Sequence, residues 1–337
     1  MKDPDTLVVG ATGLIGRWLV PELTRQGRGV AVLVRRAAAR EAELRSWVTA
    51  HGGDAGRLSV LDGDLTKPGL GLPGGLDTVR DVYNLGARFD FGLDRAEARR
   101  VNVDGALEVV RWTSGLPGAR RLVHLSGYRV AAVRDGLGAA ELAALYRKAG
   151  AYEASKVEAD QAVRAAAREL GVPYNTVNPS SVIGDSATGE TTQTLGLGQM
   201  VRDLHRGALP ALPGDRRTWV PVVTVDHLAR LLAAVPEHAA PGEALWALDE
   251  GTPPLHDLIR LVAAHLDVRA PRLSVPAGLL RRLPAGLTGA DPETLSFLSA
   301  DRYPTDSARR LEAAAGLTPP PVLPALRAWA DHLTRAS

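Results

Sequence analysis

The 337-residue chain contains no cysteine, which removes disulfides, thiolate nucleophiles, Cys-ligated zinc and iron–sulfur clusters together. Aromatic residues make up only 4%, and no basic tract with interleaved aromatics can be drawn. Lysine and arginine number 40 against 38 acids, a net charge of +2 spread along the chain, so no nucleic-acid partner is expected. No apolar run is long enough to span a membrane, and no apolar signal segment precedes the first strand; the expected location is cytoplasmic. The eight histidines never fall at i, i+4, and no metal site is predicted. Internal repeats are absent too. With 45% apolar and 23% charged residues, the chain suits one large α/β domain with a smaller cap.

Glycine, by contrast, is plentiful and ordered. The stretch Leu7-Val8-Val9-Gly10-Ala11-Thr12-Gly13-Leu14-Ile15-Gly16 is a short β-branched run ending in three glycines spaced three apart, followed by an apolar-periodic helix from Leu14 through Trp18, Leu19 and Leu23. Such glycines let backbone turn tightly and approach a diphosphate, while the helix N-terminus faces the anion. Gly10, Thr12, Gly13, Leu14, Ile15 and Gly16 are therefore candidate cofactor contacts. Val30 to Val34 reads as the second strand. Where an acidic residue would accept hydrogen bonds from an adenosine ribose, the chain has Val34 followed by Arg35 and Arg36, which favours NADP(H) over NAD(H).

Further strands are expected at Arg57 to Leu61, Val79 to Leu85, Arg121 to Leu125 and Val172 to Val177, with helices over Ala37 to Ala50, Arg95 to Thr113 and Ala143 to Leu170. This alternation predicts a doubly wound parallel sheet. Asp64 and Leu65 follow the third strand; Asp64 can contact an adenine or simply start a turn. Leu85, Gly86 and Ala87 follow the fourth and permit close backbone approach to a cofactor. Tyr152 and Lys156 lie four apart, one turn on one helix face, where an ammonium lowers the tyrosine pKa for proton exchange with a carbonyl oxygen. A hydroxyl from the loop after the fifth strand, Ser126-Gly127-Tyr128, would bond the same oxygen.

The glycine loop, Asn84-Leu85-Gly86-Ala87, Asn102, the strand into Ser126, and Tyr152 with Lys156 resemble the extended short-chain dehydrogenase/reductase family in order and spacing over roughly the first 225 residues. Within it, Leu33-Val34-Arg35, Gly63-Asp64-Leu65 and Gly184 to Glu190 look most like the thioester reductase and fatty-acyl reductase branch. The resemblance implies Tyr152 as general acid, Lys156 holding the nicotinamide ribose and tuning Tyr152, Asn102 supporting a proton relay, and Asn178 to Gly184, with Pro179 and Ser181, over the nicotinamide. It also implies a small-molecule, CoA-linked or carrier-linked substrate, and a homodimer through the helices bearing Tyr152 and Asn102. Gly127 departs from the family's second adjacent hydroxyl, so Ser126 serves, Tyr128 substitutes, or the site is attenuated; Ser126 is favoured.

The expected division is a dinucleotide-binding domain over 1–178, with a further strand and helix at about 219–235, and a substrate-binding cap over 179–218 and 236–337. Gly184 to Thr194 is polar and long enough for a mobile lid. Leu279, Leu280, Leu283 and Leu287 form either a substrate pocket or ordinary core, and Trp219, Trp246, Phe297 and Tyr303 are equally open. The function expected is an NADPH-dependent reductase of a lipophilic or acyl-derived carbonyl. A nucleotide-sugar epimerase or dehydratase with bound NAD, and a non-catalytic NADP-sensing protein, are the alternatives.

Overall fold

A computed structural model describes residues 3–72, 74, 76–88, 93–130, 136–194, 196–276 and 299–335. Leu279, Leu280, Leu283, Leu287 and Phe297 lie outside the described residues. The chain forms two compact units, Met1–Asn178 with Leu228–Trp246 and Thr305–Leu317, and Pro179–His227 with Ala247–Pro304 and Thr318–Ser337. Residues 219–227, expected to rejoin the dinucleotide-binding domain, stay with the second unit. Residues 236–246 and 305–317, expected in the cap, belong to the first.

The first unit is built on β1 (Thr6–Val9), β2 (Val30–Val34), β3 (Leu58–Asp62), β4 (Asp81–Asn84), β5 (Arg121–Leu125), β6 (Tyr174–Pro179) and β10 (Ala244–Ala247), which form a seven-stranded sheet in the order β10-β6-β5-β4-β1-β2-β3. Strands β1 and β2 are buried at every residue, because helices cover both faces of a parallel sheet; this is why they appear in the sequence as unbroken runs rather than alternations. β1 pairs in parallel with both β2 and β4, and the chain proceeds outward from it in opposite directions. Val9 stands level with Leu33 and with Asn84, and Leu125 with Val177. Gly10, Arg35, Leu85 and Ser126 consequently all emerge at the carboxyl edge.

The connecting helices are α1 (Leu14–Arg25), α2 (Ala37–Ala50), α3 (Arg95–Ala98), α4 (Gly105–Ser114) and α5 (Ala139–Glu169). Val109, Val110, Val163 and Ala167 of α4 and α5 pack with Leu7, Val82 and Leu122 of the sheet. Two departures from regular helix bear on the site. Between α3 and α4 the chain opens into a π turn over Arg99–Asp104, and α5 is broken at Gly150, whose φ of 84° and ψ of 170° are not helical. α9 (Asp306–Ala314) is fastened beside β10, with Ser307 Oγ donating to Ala244 O at 2.7 Å and Arg310 pairing with Glu243 at 2.6 Å. These bonds explain why 305–317 joins the first unit.

The second unit contains β7 (Ser181–Ile183), α6 (Leu197–His205), β8 (Leu212–Pro213), β9 (Val222–Thr224), α8 (Leu255–His265), β11 (Ser274–Val275) and α10 (Val322–Arg335), while α7 (Val225–His238) begins in it and continues into the first. β7 pairs with β9 and β8 with β11. Val201, Leu258, Ile259, Leu326 and Trp329 form its core. The stretch expected to be a mobile lid is instead pinned. Ser186 donates from N and Oγ to Asp226 at 3.0 and 2.8 Å, and Asp185 Oδ1 accepts from the amides of Ala187 and Thr188. At Gly189, where φ is +73°, a Cβ would stand 2.0 Å from Ala328 O. Its glycines serve close packing.

The amino edge of the large sheet carries a buried charge cluster. Asp81, fully buried at the start of β4, pairs with Arg28 and accepts from Arg120 Nε at 2.9 Å. Removing one partner of such a pair is expensive because the remaining charge loses its compensation. Both arginines keep some solvent contact, so Asp81→Ala should cost about 3 kcal/mol, the lower end for a broken buried pair. Urea unfolding measures this. Binding of a nucleotide at the opposite edge should be unchanged in the same variant.

Candidate active site

The carboxyl edge of the first unit holds a cavity of about 920 Å³. Gly10, Thr12, Gly13, Arg35, Arg36, Asp64, Leu65, Leu85, Gly86 and Ala87, all predicted cofactor contacts, line it. The glycines do different work. Gly10 has φ of +90°, and a Cβ there would come within 2.7 Å of Leu85 C; one at Gly16 would come within 2.3 Å of Gly10 O. Both are required by the fold. A Cβ at Gly13 would meet nothing closer than 3.5 Å, so the chain itself does not demand glycine there. Gly13 is also the N-cap of α1 and supplies no side-chain cap, which leaves first-turn N–H groups without that partner. A bare Cα beside uncapped helix amides fits a diphosphate. Leu14, Ile15 and Gly16 form the start of α1 behind it.

Arg35 and Arg36 end the turn after β2. Arg36 adopts a left-handed conformation, φ 57°, and its amide donates to Asp62 Oδ1 at 2.8 Å. Sequence reasoning missed Asp62, whose register opposite Val34 brings its carboxylate to the start of α2. It also missed Arg40, Arg88, Glu97 and Arg100, which line the cavity. The spacing of Arg36 and Arg40, four apart on α2, was the available signal for the first; the others come from the far side of β4, where only the fold brings them in. Glu97 pairs with Arg88 and lies 3.8 Å from Arg100. Asp64 Oδ1 accepts from Thr66 N and Oγ1 at 2.9 and 2.8 Å, so it does form a turn as well as line the cavity. Burial works to raise the Asp64 carboxyl, but the Thr66 bonds and the charges of Arg35 and Lys67 bring it below its usual range.

The second group of predicted residues lies on β5 and α5. Lys156 is buried, and its Nζ donates to Leu125 O at 3.0 Å. Ser126 donates its amide to Val177 O at 2.9 Å, while its buried Oγ has no hydrogen-bond partner among the described residues. The Asn178 side-chain amide is likewise fully buried with neither end partnered among them. Such groups at a strand's carboxyl end fit a polar ligand. A Cβ at Gly127 would meet Val130 at an ordinary 3.5 Å, so no steric demand excludes a hydroxyl residue there. Tyr128 is buried, and its carbonyl accepts from the Trp246 indole at 3.0 Å.

The expected lowering of Tyr152 is not found. Burial, then the charge of Glu153, pushes its phenol above the ordinary value. Burial also takes Lys156 down to about 8, opposed by Asp160, and His124 down to about 3, with Lys156 and Arg164 adding to the effect. Desolvation is the largest effect on each of the three groups. Tyr152 therefore keeps its proton, which suits a donor rather than a base. Asn102 is committed elsewhere: Oδ1 accepts from Arg88 N at 2.7 Å, and Nδ2 donates to Ser155 Oγ at 2.9 Å and to Arg88 O at 3.3 Å. Pro179 and Ser181 belong to the second unit. Among the described residues no His/Asp/Glu group could hold a metal ion.

Among solved structures, the terminal R domain from the myxalamid PKS-NRPS pathway is 19% identical, with a TM-score of 0.78 over 99% of this chain and 91% of that one. A thiolation-reductase di-domain from an archaeal non-ribosomal peptide synthetase is 14% identical, with a TM-score of 0.72 over 100% and 76%. UDP-glucuronic acid 4-epimerase from Bacillus cereus, in complex with NAD, is 14% identical, with a TM-score of 0.68 over 98% and 99%. At these identities the likeness is one of fold. The sequence model described as male sterility protein matches residues 8–232, two-thirds of the chain. The chain therefore belongs to the male sterility protein family of extended short-chain dehydrogenase/reductases.

Proposed function

We propose that the protein is an NADPH-dependent reductase that delivers hydride to the carbonyl carbon of an acyl-derived substrate. The observation that carries this reading is the presence, within one unit, of an arginine-lined cavity behind a glycine loop, a half-buried Tyr152 and a buried Lys156. Arg35 and Arg36, with Arg40 on the next turn, supply guanidiniums for a 2′-phosphate. Gly10, Thr12 and Gly13 would cradle the diphosphate, and Leu85, Gly86 and Ala87 would flank the nucleotide. The nicotinamide, when bound, supplies the hydride.

Tyr152 then donates its proton to the oxygen that gains charge, and its raised pKa keeps that proton available across neutral pH. Ser126 Oγ, buried and without a protein partner among the described residues, adds a second hydrogen bond to that oxygen. An aldehyde or ketone would leave as the alcohol. With a thioester, the tetrahedral adduct expels the thiol and yields an aldehyde. A CoA-linked or carrier-linked acyl group is the favoured substrate, and the fold shared with a thiolation-reductase di-domain supports that choice.

NADPH consumption by the purified protein with matched acyl-CoA thioesters, aldehydes and ketones, with NADH in parallel, tests the reading. Tyr152→Phe should lower turnover by about 10²- to 10⁴-fold, the usual contribution of a positioned proton donor. Full turnover in that variant would overturn the Tyr152 mechanism, whereas NAD that copurifies with the protein would favour the epimerase chemistry. Replacing Arg35 and Arg36 with alanine should raise the KM for NADPH roughly ten- to a hundredfold while leaving NADH nearly unchanged, as expected for lost charge-assisted bonds.

The pH profile gives an independent check. Lys156 is needed as the cation, and its pKa lies at about 8. Activity should hold below that value and fall as pH rises through it. Asp160 on the next turn of α5 opposes the burial effect, so Asp160→Asn should move the falling limb to lower pH. A limb that stays in place would show that Asp160 does not support the charge.

A further inference from the structure

A chain of side-chain hydrogen bonds ties the cavity wall to the turn that carries Tyr152 and Lys156. Asn102, in the π turn between α3 and α4, holds both backbone polar groups of Arg88, accepting from its amide at 2.7 Å and donating to its carbonyl at 3.3 Å. The same Nδ2 donates to Ser155 Oγ at 2.9 Å, and Ser155 donates onward to Tyr152 O at 2.8 Å. Both N–H donors of the Asn102 amide are thereby committed to protein groups. Arg88 closes the segment Leu85 to Arg88 that lines the cavity, and Ser155 sits between Tyr152 and Lys156 in sequence.

Each end of this chain is a place where the fold alone gives weak definition. The break at Gly150 makes Tyr152 part of a fresh first turn of the helix. Leu85 to Arg88 lies beyond the end of β4 and is held at its start by two amides, that of Leu85 donating to Val9 O at 2.9 Å and that of Gly86 donating to Asn84 Oδ1 at 3.2 Å. Asn102 holds its other end. Asn102 is 2% exposed and Ser155 is fully buried, so water does not compete for these bonds.

We infer that Asn102 and Ser155 are positioning residues that fix the cofactor-lining segment and the Tyr152–Lys156 turn in one arrangement, so that ordering either end orders the other. This rests on the NADPH site proposed above. It assigns Asn102 a mechanical task in place of the proton relay that the family resemblance implies, and it gives Ser155, which was no candidate in the sequence, a part in the site.

The test uses Asn102→Ala, Ser155→Ala and the double variant. NADPH affinity is measured by calorimetry, exchange of the amides over residues 85–88 by hydrogen–deuterium mass spectrometry, and kcat with the best carbonyl substrate. Each single variant should weaken NADPH binding about tenfold and speed exchange over 85–88, and the double variant should be no worse than Asn102→Ala, since both changes sever one chain. Ser155→Ala should also lower kcat, although Ser155 is not placed against the reacting atoms. Asn102→Asp keeps the acceptor for the Arg88 amide but removes the donor to Ser155, and should match Ser155→Ala in kcat; it replaces Asn102→Ala if that protein does not fold. Losses that multiply in the double variant overturn the inference, as do unchanged affinity and exchange in variants of a protein that binds NADPH. If the unaltered protein binds neither NADPH nor NADH, the cofactor reading fails, and the inference with it.

Discussion

The close approach of Gly10 to the backbone of Leu85 and Gly86 is the constraint on which the first unit turns. β1 pairs with β2 on one side and β4 on the other, and the chain leaves β1 in opposite directions on the two sides. At such a reversal the connections part and a crevice opens beyond the strand ends. Without a side chain at Gly10, the loops after β1 and β4 come together at the floor of that crevice; a Cβ would intrude to 2.7 Å. The residues that line the cavity gather around this contact from beyond neighbouring strands, Arg35 from beyond β2, Asp64 from beyond β3 and Arg88 from beyond β4. A methyl group at Gly10 would disturb the floor before it touched any ligand.

Burial sets the chemistry at the other end of the same edge. A tyrosine beside a lysine is usually taken to mean a stabilised phenolate, and that inference assumes that both charges stay well supported. Here Lys156 has lost water and gained one carbonyl, Leu125 O, with Asp160 as its counter-charge one turn away. Its own charge has become costly, and at Tyr152 desolvation, with the charge of Glu153, raises the phenol. A reductase in its forward direction needs a tyrosine that arrives protonated, and burial keeps the Tyr152 phenol above its ordinary value near 10.

How much of this was legible in the sequence differs residue by residue, for physical reasons. β2 and β5 fall where the apolar runs put them, because a strand covered on both faces needs an unbroken apolar run. The glycine loop was legible for the same kind of reason, since few other residues tolerate its backbone. Gly150 was not, as one glycine in a helical stretch has no distinct signature until its φ of 84° is seen. Arg88 and Arg100 were hidden because nothing local marks them; they reach the cavity only through the sheet order and the π turn. Gly184 to Thr194 misled because glycine, serine and threonine suit both mobility and tight local bonding, and Asp226, thirty-two or more residues later in sequence, decides for bonding.

The two edges of the sheet divide the charged residues by task, and this explains why their chemistry differs. At the amino edge, Asp81 has arginines within bonding distance from two loops, Arg28 and Arg120, and these pairs are closed, each charge answering another. The carboxyl edge is left open in kind. Ser126 Oγ and both ends of the Asn178 amide are buried without a protein partner among the described residues, and five arginines, Arg40 paired with Glu43 and Arg88 with Glu97, line a cavity that Asp64 and Glu97 line with them. Unsatisfied polar groups cost stability, so a fold keeps them together only where something else meets the cost. The closed cluster at the amino edge helps to hold a sheet whose carboxyl edge stays polar and ready for an anionic ligand.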